Sequence, residues 1–347
     1  MPYQVTIRAS GHSFTANDNE SVLDAALRQG VILPYGCRNG ACGSCMGSIA
    51  SGSVSYHNGL PKALSQEDAA QYKALFCQAH PQSDLEIIVR EVDAAKDIEI
   101  KTFPCRVEKL EHLAHDVIRI YLKLPASDRM QFLAGQYIDV LIKGHEPRAF
   151  SLANAPHDDE FVELHIRYVE GGLFTDQVFH SMKEKAMWRI RGPLGTFFLR
   201  EDSDRPAILI GGGTGFAPIK GILEHAFETG IDKPMHLYWG VRAKRDLYLD
   251  ALPQQWLQQY SNFSYTPVLS DPMADDNWDG ETGLVTDAVV KICPDLSGHD
   301  VYMSGPPPMV EAGHKLFMQH GLDSLRFFSD AFEYAAIAES IKGLKQD

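Results

Sequence analysis

Residues 36–45 read GCRNGACGSC, which places three of the chain's six cysteines within ten positions. Cys37, Cys42 and Cys45 have the spacing C-x4-C-x2-C, and Cys77 follows after 31 intervening residues. This is the ligand spacing of plant-type [2Fe–2S] centres. Glycine and alanine between the cysteines leave room for backbone amides to approach cluster sulfurs. The stretch therefore predicts an iron–sulfur loop with these four cysteines as its metal ligands.

The alternatives to an iron–sulfur loop are a zinc site or scattered structural thiols. Zinc sites of comparable cysteine content commonly use C-x2-C pairs on two knuckles, whereas this chain has one tight triplet and one distant cysteine. His80, three residues after Cys77, raises the possibility of a Rieske ligand, but four cysteines already suffice. Cys105 and Cys293 match no ligand pattern, and we expect them to be buried apolar residues.

Composition limits the class of protein. With 347 residues, 44% hydrophobic and 22% charged, the chain is of ordinary globular composition and long enough for two or three domains. Its net charge of −14, from 32 basic and 46 acidic residues, argues against nucleic acid as the main partner. The alternating start MPYQVTIRAS does not resemble a signal peptide, and no apolar run is long enough to predict a membrane span. Few and uneven cysteines do not suggest a disulfide framework, so we expect a cytoplasmic location.

Periodicity divides the chain into segments of different fold. Alternating strands around one helix, which Ser21 is expected to cap, predict a compact α+β unit; its cysteine loop marks it as a β-grasp ferredoxin. Successive strands with turns then predict an antiparallel barrel, and strands alternating with helices predict a parallel α/β sheet. The expected boundaries are 1–92 for the ferredoxin domain, 93–102 for a linker, 103–202 for the FAD-binding barrel, 203–335 for the nucleotide-binding α/β domain and 336–347 for a C-terminal tail.

The barrel carries two segments suited to a flavin nucleotide. In EPRAFSLANAP (146–156), Arg148 offers a fork for a phosphate, Phe150 a ring for stacking and Ser151 a hydroxyl that could reach a flavin nitrogen. In HIRYVEGGLFT (165–175), Arg167 lies on a strand, and Gly171 and Gly172 precede a helix whose amides suit a pyrophosphate. Each piece alone is weak, and their order within one barrel strengthens the joint hypothesis.

The third segment carries a glycine-rich turn after an apolar strand. ILIGGGTGFAPI (208–219) is not a strict G-x-G-x-x-G fingerprint, but its strand–turn–helix order is typical of a dinucleotide site. The strand YWGVRAKRDLY (238–248) ends where an adenosine ribose would lie, and the turn SGPPP (304–308) could support a nicotinamide. The candidate residues are Gly211, Gly212, Gly213, Thr214, Gly215, Arg242, Asp246, Tyr248, Ser304, Gly305 and Pro306.

Over nearly its whole length the chain resembles the three-domain reductases of the ferredoxin–NADP reductase superfamily that have an N-terminal ferredoxin domain. These include electron-supplying components of ring-hydroxylating dioxygenases, phenol hydroxylases and soluble methane monooxygenases, and reductases of the CDP-6-deoxy-Δ3,4-glucoseen type. The stretches that carry the likeness are LAGQYID, SLANAP, GPLGTFF, GGGTGFAPIK, YWG and FFSDAF. The resemblance implies FAD on the barrel, NADH on the α/β domain and a [2Fe–2S] relay.

The resemblance also implies residue roles. Ser151 would contact the flavin N5 and Ser304 would line the nicotinamide side, the two positions expected to be catalytic. The flavin set would comprise Arg148, Ala149, Phe150, Ser151, His165, Arg167, Gly171, Gly172, Thr175 and the C-terminal aromatic Phe332. Many relatives have Cys-Gly where this chain has Ser304-Gly305, so the usual thiol contact is missing. The tail YAAIAESIKGLKQD (334–347) is not required by the family.

Three functions are compatible with these motifs. The first is an NADH-driven reductase that passes single electrons to a separate acceptor, either a terminal oxygenase or a deoxysugar dehydratase. The second is a stand-alone flavin or ferric reductase, in which the cluster would be superfluous. The third is a ferredoxin-type carrier, against which the intact glycine loops and flavin motif count. NADPH stays open as the donor, because Asp246 would disfavour a 2′-phosphate whereas Arg242, Lys244 and Arg245 could bind one.

Overall fold

The computed structural model describes residues 2–332, so the predicted tail 336–347 lies outside the described residues. The N-terminal unit is a five-stranded sheet in the order β2-β1-β7-β3-β5, packed on one helix. Ser21 caps that helix as predicted, since its side chain accepts from the Asp24 amide. The elements of this unit are β1 (Tyr3–Ile7), β2 (Ser13–Ala16), α1 (Val22–Arg28), β3 (Met46–Ser51), β4 (Val54–Ser55), α2 (Gln66–Ala70), β5 (Lys73–Leu75), β6 (His80–Pro81) and β7 (Leu85–Ile88).

The central unit is a six-stranded antiparallel sheet in the order β11-β10-β13-β8-β9-β12. A bridge between Leu152 and Leu164 joins its two edges, which gives the sheet the form of a barrel. β8 begins at Lys101, paired with Gly192, inside the segment expected to be linker. Its elements are β8 (Lys101–Ala114), β9 (Val117–Lys123), β10 (Tyr137–Val140), β11 (Arg148–Ser151), β12 (Val162–Arg167), α3 (Leu173–His180) and β13 (Met187–Leu194).

The third unit is a six-stranded parallel sheet in the order β17-β16-β15-β14-β18-β19. Buried apolar residues lie on both of its faces, as expected for a sheet covered by helices on each side. Its elements are β14 (Ala207–Gly212), α4 (Phe216–Glu228), β15 (Met235–Val241), α5 (Ala251–Gln259), β16 (Phe263–Leu269), β17 (Glu281–Thr282), α6 (Val285–Ile292), β18 (Asp300–Gly305), α7 (Pro307–Gln319) and β19 (Phe327–Ala331).

The predicted fold class is confirmed, although several strands, among them β3, β13 and β19, were not predicted and one cysteine was misjudged. β13 pairs with both β10 and β8, but Gly192-Pro193 within it resembles a strand break in sequence. Cys105 is buried in the barrel core as predicted, whereas Cys293 is only half-buried because it lies in the turn after α6. Among the described residues, no helix is both long and apolar enough to cross a membrane.

Candidate functional site

The cysteine loop holds its thiols as two pairs. The Cys42 amide donates to Cys37 Sγ at 3.3 Å, and the hydrogen bond from the Cys37 thiol lowers the pKa of Cys42 to about 6. Cys45 and Cys77 form the second pair: their mutual hydrogen bond, followed by burial, raises the pKa of Cys45 well above its usual value. Within the described part of the chain, no three of these sulfurs lie within 4.8 Å of one another.

The arrangement of the thiols in two pairs distinguishes a [2Fe–2S] cluster from a zinc site. A tetrahedral zinc with Zn–S bonds of about 2.3 Å would bring all four sulfurs to roughly 3.8 Å from one another. Two separate pairs instead fit a centre with two metal ions, each bound by two thiolates, which is the ligand arrangement of a [2Fe–2S] cluster. The four predicted residues therefore fit that cluster.

The flavin motif lies on β11 at the edge of the barrel. The Ser151 hydroxyl donates to Asp330 Oδ2 at 2.8 Å, so it is already oriented by a carboxylate. Phe150 is half-buried with its ring 5.5 Å from that of Phe174, and Ala149 is exposed. Among the described residues, Arg148 donates only to the Glu146 and Pro147 carbonyls of its own turn, so its guanidinium could rearrange toward a phosphate.

The predicted pyrophosphate loop has the expected local form. Gly171 has φ +73°, and Gly172 is the N-cap of α3. The Thr175 hydroxyl fixes the turn through bonds to the Val169 carbonyl (3.0 Å) and the Gly172 carbonyl (3.1 Å). These bonds let Thr175 shape the turn, while the amides at the start of α3 stay available to a ligand. The predicted contact of Thr175 with the pyrophosphate stays a prediction.

A cavity of about 1030 Å³ opens between the barrel and the parallel sheet. The cavity is large enough for a dinucleotide and is walled by residues of both units. It brings together six of the predicted residues: Arg167, Gly212, Gly213, Arg242, Asp246 and Pro306. Sequence reasoning missed other lining residues, among them His115, Asp116, Tyr168, Asp271, Met273, Leu284 and Met309.

Arg167 connects the barrel to the nucleotide loop. Its Nε lies 3.0 Å from Asp116 Oδ2, but neither Arg167 Nε nor Asp116 Oδ1 has a hydrogen-bond partner among the described residues. Gly213 has φ +55°, which favours glycine, and a Cβ there would sit 2.7 Å from Arg167 Nη1. Hydrogen-bonding capacity left on this ion pair at the cavity wall suits a charged ligand such as a dinucleotide.

The end of β18, where the nicotinamide contact is predicted, contains a buried hydroxyl without a partner among the described residues. Ser304 is fully buried on β18, and its Oγ finds no hydrogen bond within the residues described. Gly305 ends this strand and Pro306 caps α7. Thr214 and Gly215 lie in the turn between β14 and α4, and Phe332, half-buried, donates its amide to the Gly305 carbonyl at 3.3 Å. An orphaned buried hydroxyl fits a site completed by a polar ligand.

Three predicted residues make protein contacts that sequence could not show. Asp246 accepts from the Ala243 amide at 3.0 Å and so stabilises the turn after β15. His165 has a fully buried side chain, and its two ring nitrogens bond Glu163 Oε1 (2.8 Å) and the Tyr248 hydroxyl (3.1 Å). With both nitrogens engaged, His165 and Tyr248 join the barrel to the α/β unit, and the predicted cofactor contact of this pair stays a prediction.

The strand β19 connects the cysteine loop with the flavin motif. The Ser44 hydroxyl, in the loop, donates to the Ser329 carbonyl at 2.9 Å, and the next residue, Asp330, accepts from Ser151. Burial, and secondarily the charge of Cys42, raises the pKa of Asp330 to about 6. Sequence reasoning passed over Asp330, although a carboxylate inside the apolar strand FFSDAF was a usable signal.

Comparison with known proteins assigns each unit. Models of three families match: the 2Fe-2S iron-sulfur cluster binding domain over 5–82, the oxidoreductase FAD-binding domain over 104–199 and the oxidoreductase NAD-binding domain over 209–315. The CDP-6-deoxy-L-threo-D-glycero-4-hexulose-3-dehydrase reductase of Yersinia pestis is 39% identical over 96% of this chain and 99% of that protein. The phenol hydroxylase P5 protein of Acinetobacter pittii is 36% identical over 97% and 96%. The crystal structure of the Amycolatopsis cytochrome P450 reductase GcoB superposes with a TM-score of 0.75 at 33% identity, over 95% of this chain and 98% of that one.

The fold, the paired thiols and these matches define an oxidoreductase that takes electrons from a nicotinamide dinucleotide through FAD to a [2Fe–2S] cluster. The chain belongs to the family of three-domain NAD(P)H-dependent flavin and [2Fe–2S] reductases, within the ferredoxin–NADP reductase superfamily. The predicted family, cofactors and reductase activity are thereby confirmed.

Proposed function

We propose that this reductase delivers single electrons to a separate protein, and that Cys37, Cys42, Cys45 and Cys77 hold the cluster from which they leave. The observation that carries the proposal is the connection through β19: Ser329 accepts from the cysteine loop and Asp330 from Ser151. A stand-alone flavin reductase would have no use for a cluster loop anchored beside its flavin motif. We infer a deoxysugar dehydratase of the CDP-hexulose type as acceptor, because the dehydrase reductase is 39% identical to this chain and the phenol hydroxylase protein 36%. An oxygenase component is the second candidate.

In this proposal the protein binds the two cofactors, orients them and excludes water from between them. Arg167 and the amides beginning α3 would hold the flavin pyrophosphate, and Gly212 and Gly213 would let the dinucleotide approach the backbone. When bound, FAD accepts two electrons as hydride and releases them singly, which joins a two-electron donor to a one-electron cluster. Ser151, oriented by Asp330, would present its hydroxyl to the flavin N5, and Ser304 would present its unpaired hydroxyl to the nicotinamide.

We further propose NADH as the donor and the cytoplasm as the location. Asp246 and Asp271 both line the cavity and would repel a 2′-phosphate, although Arg242 and Arg245 lie beside them. The six cysteines, all described, form no disulfide with one another, as expected in a reducing compartment.

The test of the reductase proposal is Cys45→Ser, a substitution at the most buried proposed ligand. We expect loss of the cluster's visible absorbance and of electron delivery to the dehydratase or oxygenase component. NADH-dependent bleaching of the flavin should continue, because FAD and nucleotide bind to other units. Cys105→Ser, at a buried thiol of the barrel core, is the matched control and should keep both. Undiminished reduction of the protein acceptor by Cys45→Ser would overturn the proposal in favour of a flavin reductase.

A further inference from the structure

The segment that leads into the cysteine loop is fastened to the barrel by buried hydrogen bonds. The Tyr35 carbonyl accepts from the Thr196 amide (3.0 Å) and hydroxyl (2.9 Å), and the Tyr35 amide donates to Thr196 Oγ1 at 2.8 Å. One residue further on, the Tyr137 hydroxyl donates to the Gly36 carbonyl at 3.0 Å. Gly36 directly precedes the proposed ligand Cys37. Residues more than 100 positions apart thus meet at the base of the loop.

Tyr137 lies beside the flavin motif as well. On β10 it is directly opposite Ser151 of β11, and side chains of directly opposed residues point to the same face of a sheet. The ring packs closely on Gly195, where a Cβ would lie 2.8 Å from Tyr137 Cδ1. Tyr137 is only 6% exposed, so its hydrogen bond to Gly36 is shielded from competing water. One side chain therefore spans from the flavin strand to the cysteine loop.

We propose that Tyr137 is a positioning residue for electron transfer, which fixes the loop of Cys37 against the flavin strand through its hydrogen bond to the Gly36 carbonyl. The proposal rests on the proposed cluster ligands and goes beyond them, because it assigns a function to a residue outside the cysteine and flavin motifs. The hydrogen bond from the Ser44 hydroxyl to the Ser329 carbonyl holds the opposite end of the loop.

The step that Tyr137 serves moves one electron at a time. With both groups bound, FAD would supply electrons singly and the cluster would accept them one at a time, so one hydride would serve two transfers. Tyr137 need neither gain nor lose a proton, since its hydroxyl stays the donor to Gly36. Burial, followed by the nearby Tyr35, raises the pKa of Tyr137 well above its usual value, which keeps that proton in place. Its contribution is a fixed separation between donor and acceptor.

The experiment compares Tyr137→Phe with wild type, both as purified holoenzyme. Stopped-flow spectroscopy with NADH measures flavin bleaching and cluster bleaching separately, and deuterium exchange of peptides covering 32–45 measures loop fastening without turnover. We expect flavin bleaching within about twofold of wild type and cluster bleaching slowed about tenfold, because loss of the hydrogen bond lets the cysteine loop move away from the flavin strand. Exchange in 32–45 should rise, and the cluster's electron paramagnetic resonance signal should change shape.

The control is Tyr238→Phe, which removes a buried hydroxyl that has no hydrogen-bond partner among the described residues. It should change neither rate nor the exchange of 32–45. If Tyr137→Phe folds poorly, Thr196→Val serves as the second variant. It removes the neighbouring hydrogen bond from the Thr196 hydroxyl to the Tyr35 carbonyl and should raise deuterium exchange in 32–45 as well. Unchanged cluster bleaching and unchanged exchange in Tyr137→Phe would overturn the inference. If the proposed cluster ligands were wrong, the result would be different. Cys45→Ser would keep its cluster absorbance, while Tyr137→Phe would still raise deuterium exchange in 32–45.

Discussion

Lys220 holds the flavin barrel and the nucleotide-binding sheet together, and Lys220→Met should weaken that union measurably. From α4, its ammonium donates to the Ala153 carbonyl (3.1 Å), to Glu163 Oε2 (3.3 Å) and to Glu224 Oε2 (2.9 Å). Ala153 and Glu163 belong to the barrel, and the side chains of Lys220 and Glu163 are 7% and 6% exposed. Methionine keeps the length of the side chain but removes the nearer of two cations from the Glu163 carboxylate, since Arg119 Nη1 stays 3.7 Å from Oε1.

The expected loss in the free energy of unfolding follows from the pKa of the Glu163 carboxylate. Burial would raise the pKa of Glu163, but the hydrogen bond from His165 and the charges of Lys220 and Arg119 outweigh it and lower the pKa to about 2. Against an ordinary value of 4.5, this corresponds to roughly 3 kcal/mol in favour of the charged form. Breaking a buried pair usually costs about 3–5 kcal/mol. Since His165 and Arg119 remain, we expect Lys220→Met to lower the free energy of unfolding by about 2–3 kcal/mol.

The assay is thermal unfolding followed by differential scanning fluorimetry of the holoenzyme. A loss of this size should lower Tm by about 5–10 °C in a unit of this length. The matched control is Lys291→Met, which breaks an exposed pair with Glu281 in which the lysine side chain is 67% exposed. Exposed pairs contribute below about 1 kcal/mol, so Tm should fall by less than about 3 °C. If both variants melted alike at pH 7, the reasoning about Lys220 would be wrong.

The pH dependence supplies an independent check. The folded-state pKa of Glu163 lies below its unfolded value, so its contribution is present above pH 4.5 and is lost as pH falls toward about 2. The difference in Tm between wild type and Lys220→Met should therefore shrink as the pH falls below 4.5. A difference that stayed constant through that range would indicate lost packing of the side chain and not a lost ion pair.

Two further predictions concern the nucleotide site. Gly215→Ala would place a Cβ 2.0 Å from the Ser304 carbonyl oxygen, so we expect a Tm loss well beyond that of Gly298→Ala, which meets nothing within 4 Å; equal melting temperatures would contradict the close approach. For the donor, we expect kcat/KM with NADH to exceed that with NADPH by about tenfold or more, equivalent to about 1.4 kcal/mol, in steady-state assays. Equal values would show that Arg242 and Arg245 compensate for Asp246 and Asp271.

How much of the site could be predicted depended on the distance in sequence between its parts. The spacing of Cys37, Cys42 and Cys45 lies within one loop, and local spacing is what a motif records. The hydrogen bond from Ser44 to Ser329 joins residues 285 positions apart, and no local pattern carries it. The same holds for His165, whose pairing with Tyr248 depends on how the barrel packs against the α/β unit.

Two aspartates show where the sequence left the role of a polar side chain open. Asp246 suggested a ribose contact, yet one of its carboxylate oxygens accepts from the Ala243 amide and so shapes the turn. An aspartate near a turn commonly bonds its own backbone, and sequence alone cannot separate that role from ligand binding. Asp330 is the other case: its apolar neighbours on β19 made the carboxylate conspicuous, but its partner Ser151 lies 179 positions away and no local pattern indicates that contact.

The fastenings of the cysteine loop lead to a view of how three separately folded units act as one reductase. One end of the loop is held through Tyr35 and Gly36 by the barrel, and the other through Ser44 by the last strand of the parallel sheet. Because both holders also border the flavin motif, a shift of either unit would change the position of the loop and of Ser151 together. Electron transfer therefore depends on contacts between units that each domain, folded alone, would lack, and separately expressed domains should bind their cofactors but exchange electrons poorly.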